Sequence, residues 1–170
     1  MPKFTPDAII LFSHGSLLCG SGQALEDHAA RLRLRGTAPM VEVGYLNYSE
    51  PLFADTVARC VQLGACRISV APYFLVPGYF VRVDLPKCIE AARGIYPDVH
   101  FTVAPPLGFD ERLAAAIIDS ASCAQGPEHW RADLGTASLY CRPDSRCPLY
   151  GTPGCPKAPR GDVRREGAER

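Results

Sequence analysis

Neither sign of charge prevails in this sequence: Lys and Arg together number 18, Asp and Glu together number 18, and the formal net charge is +0. A balanced chain has no broad field with which to hold nucleic acid or an anionic membrane, so an anionic ligand has to be caught by a few local groups. Long hydrophobic runs are also missing. The strongest apolar stretch near the N-terminus, residues 8–12, is far shorter than a membrane span or a signal-peptide core, and no small-residue cleavage pattern follows it. The expectation is a cytoplasmic protein with neither nucleic acid nor membrane as partner. What the 170 residues do contain is 47% hydrophobic residues, enough for one real core, and 8 Cys. In a reducing compartment those cysteines read as metal ligands or free thiols rather than disulfides.

From the N-terminus to about residue 124, short apolar runs alternate with helical patterns, the signature of βα units around a parallel sheet. Residues 8–12 read as a strand buried on both faces, followed by a polar, glycine-containing loop and by Leu25, Ala29 and Leu32 at helical spacing until Gly36. A second strand is expected over 41–46. The helix after it begins near Pro51, carries Phe53, Val57 and Cys60 on one face, and stops at Gly64. A third strand spans 67–71. Asp84 is placed to cap the next helix, which turns Ile89 and Ala92 inward and ends at Gly94. A fourth strand covers 100–104, and Asp110 caps a last helix with Leu113 and Ile117. The fold class is α/β, with four parallel strands, four helices and an irregular cysteine-rich tail. Cys60, Cys66 and Cys88 read as small buried hydrophobes of this domain, and His28, His100 and His129 as surface or fold residues.

In open parallel sheets, ligands bind beyond the carboxyl ends of the strands. The segments at those ends are Ser13-His14-Gly15-Ser16, Gly44-Tyr45-Leu46-Asn47, residues 72–86 and Pro105-Pro106-Leu107-Gly108. His14 stands directly after a buried strand, where a neutral imidazole can bind a transition metal or take up a proton. Gly15 permits close backbone approach and Ser16 offers a hydroxyl. A hydrogen-bonded loop histidine with no further role is the competing account of His14 alone.

Taken in order, several segments resemble the small type of the sirohydrochlorin cobaltochelatase and ferrochelatase family. They are the strand ending in His14-Gly15-Ser16, the run Val41-Glu42-Val43-Gly44-Tyr45-Leu46 leading to Ser49-Glu50-Pro51, and the run from Gly64 through Pro72-Tyr73-Phe74-Leu75. Gly78 with Asp84-Leu85-Pro86 and the Val103-Ala104-Pro105-Pro106-Leu107-Gly108 turn complete the set. The resemblance covers roughly residues 6–122. It implies a flavodoxin-like chelatase half that pairs as a homodimer and inserts Co²⁺ or Fe²⁺ into sirohydrochlorin without a nucleotide. It also implies that His14 is the metal-binding histidine and serves as base for the pyrrole protons. Ser16, Tyr45, Asn47, Tyr79, Phe80, Arg82 and Asp84 are the candidate substrate-binding residues. Lys87 and Arg82 can attract the substrate's carboxylates, although each alone reads equally as a solvated charge.

Two positions depart from the family's pattern. A second histidine is normal where this chain has Phe80, within Gly78-Tyr79-Phe80-Val81-Arg82-Val83-Asp84-Leu85-Pro86, and a frequent glutamate is replaced by Asn47. Phenylalanine cannot ligate a metal, and asparagine is not an anionic base. Cys19, Tyr79, Tyr45 or the His14 of a second copy can substitute as ligands. The other account is a tetrapyrrole-binding or iron–sulfur redox-sensing protein that has lost chelation, with Phe80 and Tyr79 stacked on the macrocycle.

Beyond residue 124 proline and glycine become dense and apolar periodicity ends. Residues 125–160 read as a cysteine-rich extension, and the charged stretch 161–170 as a disordered tail. Cys141, Cys147 and Cys155 are spaced too widely for a zinc knuckle. Two cysteine–proline steps and a fourth thiol at Cys123 suit a [4Fe-4S] or [2Fe-2S] cluster, with structural zinc and uncoordinated thiols as the alternatives.

Overall fold

Four apolar runs become the strands β1 (Ala8–Ser13), β2 (Met40–Tyr45), β3 (Arg67–Pro72) and β4 (His100–Val103). The computed structural model of the chain describes residues 5–17, 22–124, 126, 145–148 and 150. All strand pairs are parallel, and the order across the sheet is β2-β1-β3-β4. Because β1 is central, it is covered on both faces and reads as an uninterrupted apolar run. Its alternate residues serve two separate cores. Ala8, Ile10 and Phe12 pack with Phe53, Val57 and Cys60 of α2 (Phe53–Gln62) and with Leu85, Ile89 and Ala92 of α3 (Leu85–Ile95). Leu11 packs on the opposite face with Val41, Val43 and Tyr45, beneath Leu25 and Ala29 of α1 (Gln23–Leu34).

The strand register decides where a site can form. Phe12 pairs with Gly44 on one side and Pro72 on the other, so β1, β2 and β3 end level with one another. The order switches direction between β1 and β3, and the loops after these strands are where ligands of such sheets bind. The carbonyl of Phe12 accepts from the Tyr73 amide at 2.7 Å and that of Ser13 from the Leu46 amide at 2.9 Å. These bonds carry the strand alignment one residue into the loops.

The helix ends follow the glycines in two cases. Gly36 and Gly64 adopt φ of +62° and +92° directly beyond α1 and α2, the left-handed position that closes a helix. Elsewhere the structure corrects the expectation. Asp84 makes no side-chain cap, because the chain enters α3 through a π-turn, Phe80–Asp84, and is already helical at that point. The α3 helix also runs one residue past Gly94, where a single glycine costs only about 1 kcal/mol. Cys66 is exposed, unlike buried Cys60 and half-buried Cys88. Asp110 does cap α4 (Glu111–Ser122), accepting from the Arg112 amide, yet α4 buries none of its residues and Ile117 is 66% exposed.

The chain divides into two compact units, Met1–Ser16 with Gly22–Ala124 and Leu17–Ser21 with Gln125–Arg170. The first holds the sheet. Of the second, only a few residues are described, among them buried Cys147. Cys19, Cys141, Cys155, His129 and the stretch 161–170 lie outside the described residues. No helix among the described residues is long and apolar enough to cross a membrane.

Candidate active site

The loop after β1 owes its shape to Gly15. Its φ is +86°, and a Cβ there would lie 1.8 Å from the Asn47 carbonyl oxygen. Only glycine lets the β1 and β2 loops come this close. The approach is locked by the Asn47 amide donating to the His14 carbonyl at 2.9 Å. Ser49 adds a two-way clasp, its Oγ accepting from the Ser16 amide at 3.0 Å and donating to the Ser16 carbonyl at 3.2 Å. The β3 and β4 loops meet in the same way: the Leu107 amide donates to the Phe74 carbonyl at 2.9 Å, and a Cβ on Gly108 would overlap the Leu75 carbonyl oxygen.

His14 is half-buried on this frame. Its Nδ1 lies 3.1 Å from the Gly15 carbonyl oxygen. A carbonyl can only accept, so this bond puts the proton of the neutral imidazole on Nδ1 and leaves the Nε2 lone pair for a metal or a proton. Aromatic rings surround the imidazole. The Phe80 centroid is 4.1 Å away with the planes tilted 41°, and that of Tyr48 is 5.4 Å away. Phe80 in turn stands 6.3 Å from Phe74 and 6.5 Å from Tyr79, edge to face with the latter. Phe74 reaches Phe12 at 6.0 Å, and Phe12 reaches Phe53 at 5.4 Å, so a continuous aromatic series runs from the core to His14.

The expected substrate-binding residues separate into two groups. Ser16, Asn47 and Phe80 gather around His14, whereas Tyr79 and Arg82 are exposed on or next to the π-turn. Asp84 is half-buried there, with the Lys87 ammonium 3.9 Å from its carboxylate, a loose pair at the surface. Tyr45 does not join them. It is 3% exposed, packs with Leu25 and Val43, and its hydroxyl donates to the Gly22 carbonyl at 3.4 Å. Burial, reinforced by Glu26, pushes its pKa up to about 12, so it offers no phenolate ligand. Tyr48 and Ser49 also stand at the site, where sequence reasoning does not place them. The tyrosine shows no spacing signal in a loop, and the serine acts across 33 residues.

Cys123 is exposed at the end of α4. Among the described residues no three His, Cys, Asp or Glu side chains gather as a metal site. A separate apolar cavity of about 230 Å³ lies between α2 and α3, lined by Leu52, Val57, Cys88 and Tyr96 among others.

The CbiX family model matches residues 8–124. The chloroplastic sirohydrochlorin ferrochelatase of Arabidopsis thaliana is 29% identical over 86% of this chain and 64% of its own length. The sirohydrochlorin cobaltochelatase of Methanocaldococcus jannaschii is 29% identical over 68% of this chain and 97% of its own length. Among solved structures, SirB from Bacillus subtilis with Fe³⁺ superposes with a TM-score of 0.62 at 27% identity, over 66% of this chain and 44% of that one. The chain thus spans under two thirds of the plant relative and under half of the Bacillus protein.

Proposed function

The chain belongs to the CbiX family, and from that premise we propose that it inserts Co²⁺ or Fe²⁺ into sirohydrochlorin. The observation that carries this reading is His14, presented at the carboxyl edge of the sheet on a glycine-constrained turn with its Nε2 lone pair available. Insertion replaces two pyrrole protons by one divalent ion. Nε2 serves both halves of that exchange, first as the protein's ligand to the incoming metal and then, once the four macrocycle nitrogens take the ion over, as acceptor for one of the two released protons, the other passing to solvent water. Tyr48 and Tyr79 provide apolar aromatic surface for the macrocycle, and Arg82 and Lys87 attract its carboxylates.

One protein ligand suffices for a metal in transit, because the remaining positions are filled by exchangeable water and then by the substrate. Asn47, Asp84 and the Ser16 segment orient the substrate's polar rim. A second copy of the chain completes the cleft, as the half-length match to the Bacillus protein suggests. Cys19, three residues beyond Ser16 in sequence, is a further soft ligand. The enzyme works in the cytoplasm, in the making of cobalamin-type or siroheme-type tetrapyrroles. Residues 1–124 form the catalytic unit, and Cys123 together with Cys141, Cys147 and Cys155 of the 125–160 extension binds an iron–sulfur cluster.

The test follows the macrocycle absorption bands anaerobically with sirohydrochlorin and Co²⁺. Metallation is expected well above the protein-free rate, falling about 10²- to 10⁴-fold in His14→Ala. A band shift on mixing without acceleration would instead establish a tetrapyrrole binder or redox sensor, the outcome that Phe80 in place of a ligand favours. Iron and sulfide analysis with electron paramagnetic resonance decides the cluster, and its absence from anaerobically purified protein removes that part of the proposal.

A further inference from the structure

Resting on the reading of His14 as ligand and base, we infer that Phe80 is a positioning residue that holds the His14 imidazole in one orientation and one tautomer. The histidine's own bond does not secure this. Nδ1 is tied to the carbonyl of the next residue at 3.1 Å, and half a turn about χ2 would exchange Nδ1 with Cδ2, break that bond and carry Nε2 away from its place. A histidine bounded only by solvent makes such turns freely.

Here the imidazole meets the Phe80 ring at a centroid distance of 4.1 Å with the planes tilted 41°, close enough for the rings to touch. The backbone that carries that ring is anchored. The Phe80 carbonyl accepts the Leu85 amide across the π-turn, and the Gly78 carbonyl receives the amides of both Val81 and Arg82. Phe80 is the first residue of that π-turn, and such turns are frequent at functional sites. Behind Phe80, Phe74 and the fully buried Phe12 tie the contact to the core. The residue that removes a second ligand thereby secures the first.

The experiment reads the ring nitrogens of His14 by long-range proton–nitrogen correlation at a pH where the imidazole is neutral, in the wild-type chain, Phe80→Leu and Phe80→Tyr. Metallation kinetics are measured on the same samples. Phe80 is 37% exposed, so these substitutions are compatible with the fold, and the amide spectrum checks it; Phe80→Met replaces Phe80→Leu if dispersion is lost. The expected result is one tautomer with the proton on Nδ1 in wild type and Phe80→Tyr. In Phe80→Leu the two nitrogen shifts converge, and kcat falls about ten- to hundredfold with KM for sirohydrochlorin unchanged. Wild-type nitrogen shifts in Phe80→Leu would overturn the inference, as would a rise in KM alone, which would make Phe80 a substrate-stacking residue. A wild-type chain that does not metallate sirohydrochlorin defeats the functional reading, while the nitrogen shifts still decide the role of Phe80.

Discussion

At Gly15 the requirement on the side chain is absolute, because any Cβ meets the Asn47 carbonyl while the backbone sits at φ +86°. Gly15→Ala is therefore expected to cost at least about 1–3 kcal/mol in denaturant unfolding and to displace His14, with metallation lost even in the fraction that folds. Tyr45 sets the opposite expectation. Buried and bonded to the Gly22 carbonyl, it contributes to stability and not to chemistry. Tyr45→Phe should lower stability by about 0.5–1.5 kcal/mol and leave kcat and KM unchanged. A tenfold loss of activity in that variant would return Tyr45 to the site. The contrast shows what the sequence discloses about individual residues. His14 and Gly15 are legible because a histidine and a glycine directly after a buried apolar strand fall at the carboxyl edge of the sheet, where ligands bind. Tyr45 misleads because it closes a strand whose last residues are still inside the sheet, so position at the strand end does not mean exposure. Tyr48 and Ser49 are illegible because their partners lie more than 30 residues away in sequence, and no local pattern records such a meeting.

Among the elements, β1, β2 and the helices closed by Gly36 and Gly64 follow from local pattern, since burial on both faces and left-handed glycines are written in the residues themselves. The entry to α3 is not. Asp84 has the chemistry of a cap, but the π-turn before it supplies backbone acceptors, and the need for a cap disappears. Asp110 is a cap in fact, and its behaviour with pH can be stated. Hydrogen bonds from the Arg112 guanidinium, then from the Arg112 amide, hold its pKa at about 2, below the ordinary 3.8. A carboxyl whose pKa is lowered by folding stabilises the fold above the unfolded value and loses that contribution as pH falls through the folded one. Hydrogen exchange at the first-turn amides of α4 should therefore quicken as pH drops from about 4 to about 2, after correction for intrinsic rates. Asp110→Asn should flatten this response. An unchanged pH dependence in the variant would show that the fraying has another source.

At the scale of the whole molecule, α4 is the least satisfied element among the described residues. Leu113 through Ile118 are six consecutive apolar residues, and a helix apolar on every side is normally enclosed, yet none of α4 is buried, with Ile117 and Ile118 at 66% and 64% exposure. At the carboxyl edge of the sheet Tyr48, Leu75, Val76 and Tyr79 are likewise more than half exposed. A lone copy presents this much apolar surface at a cost of about 25 cal/mol for each Å² left in water. A second copy of the chain can supply the cover, because in a symmetric pair each copy brings the same surface to the contact. The expectation is a particle of twice the chain mass by light scattering after gel filtration. Ile118→Lys should shift it toward monomer on dilution, because a cation at the centre of such a contact has to be desolvated without a partner. A wild-type chain that remains monomeric at the concentrations used for metallation would overturn the expectation and make one copy the complete catalytic unit. A dimer indifferent to Ile118→Lys would place the contact elsewhere on the surface, with the exposed aromatic edge as the next face to substitute.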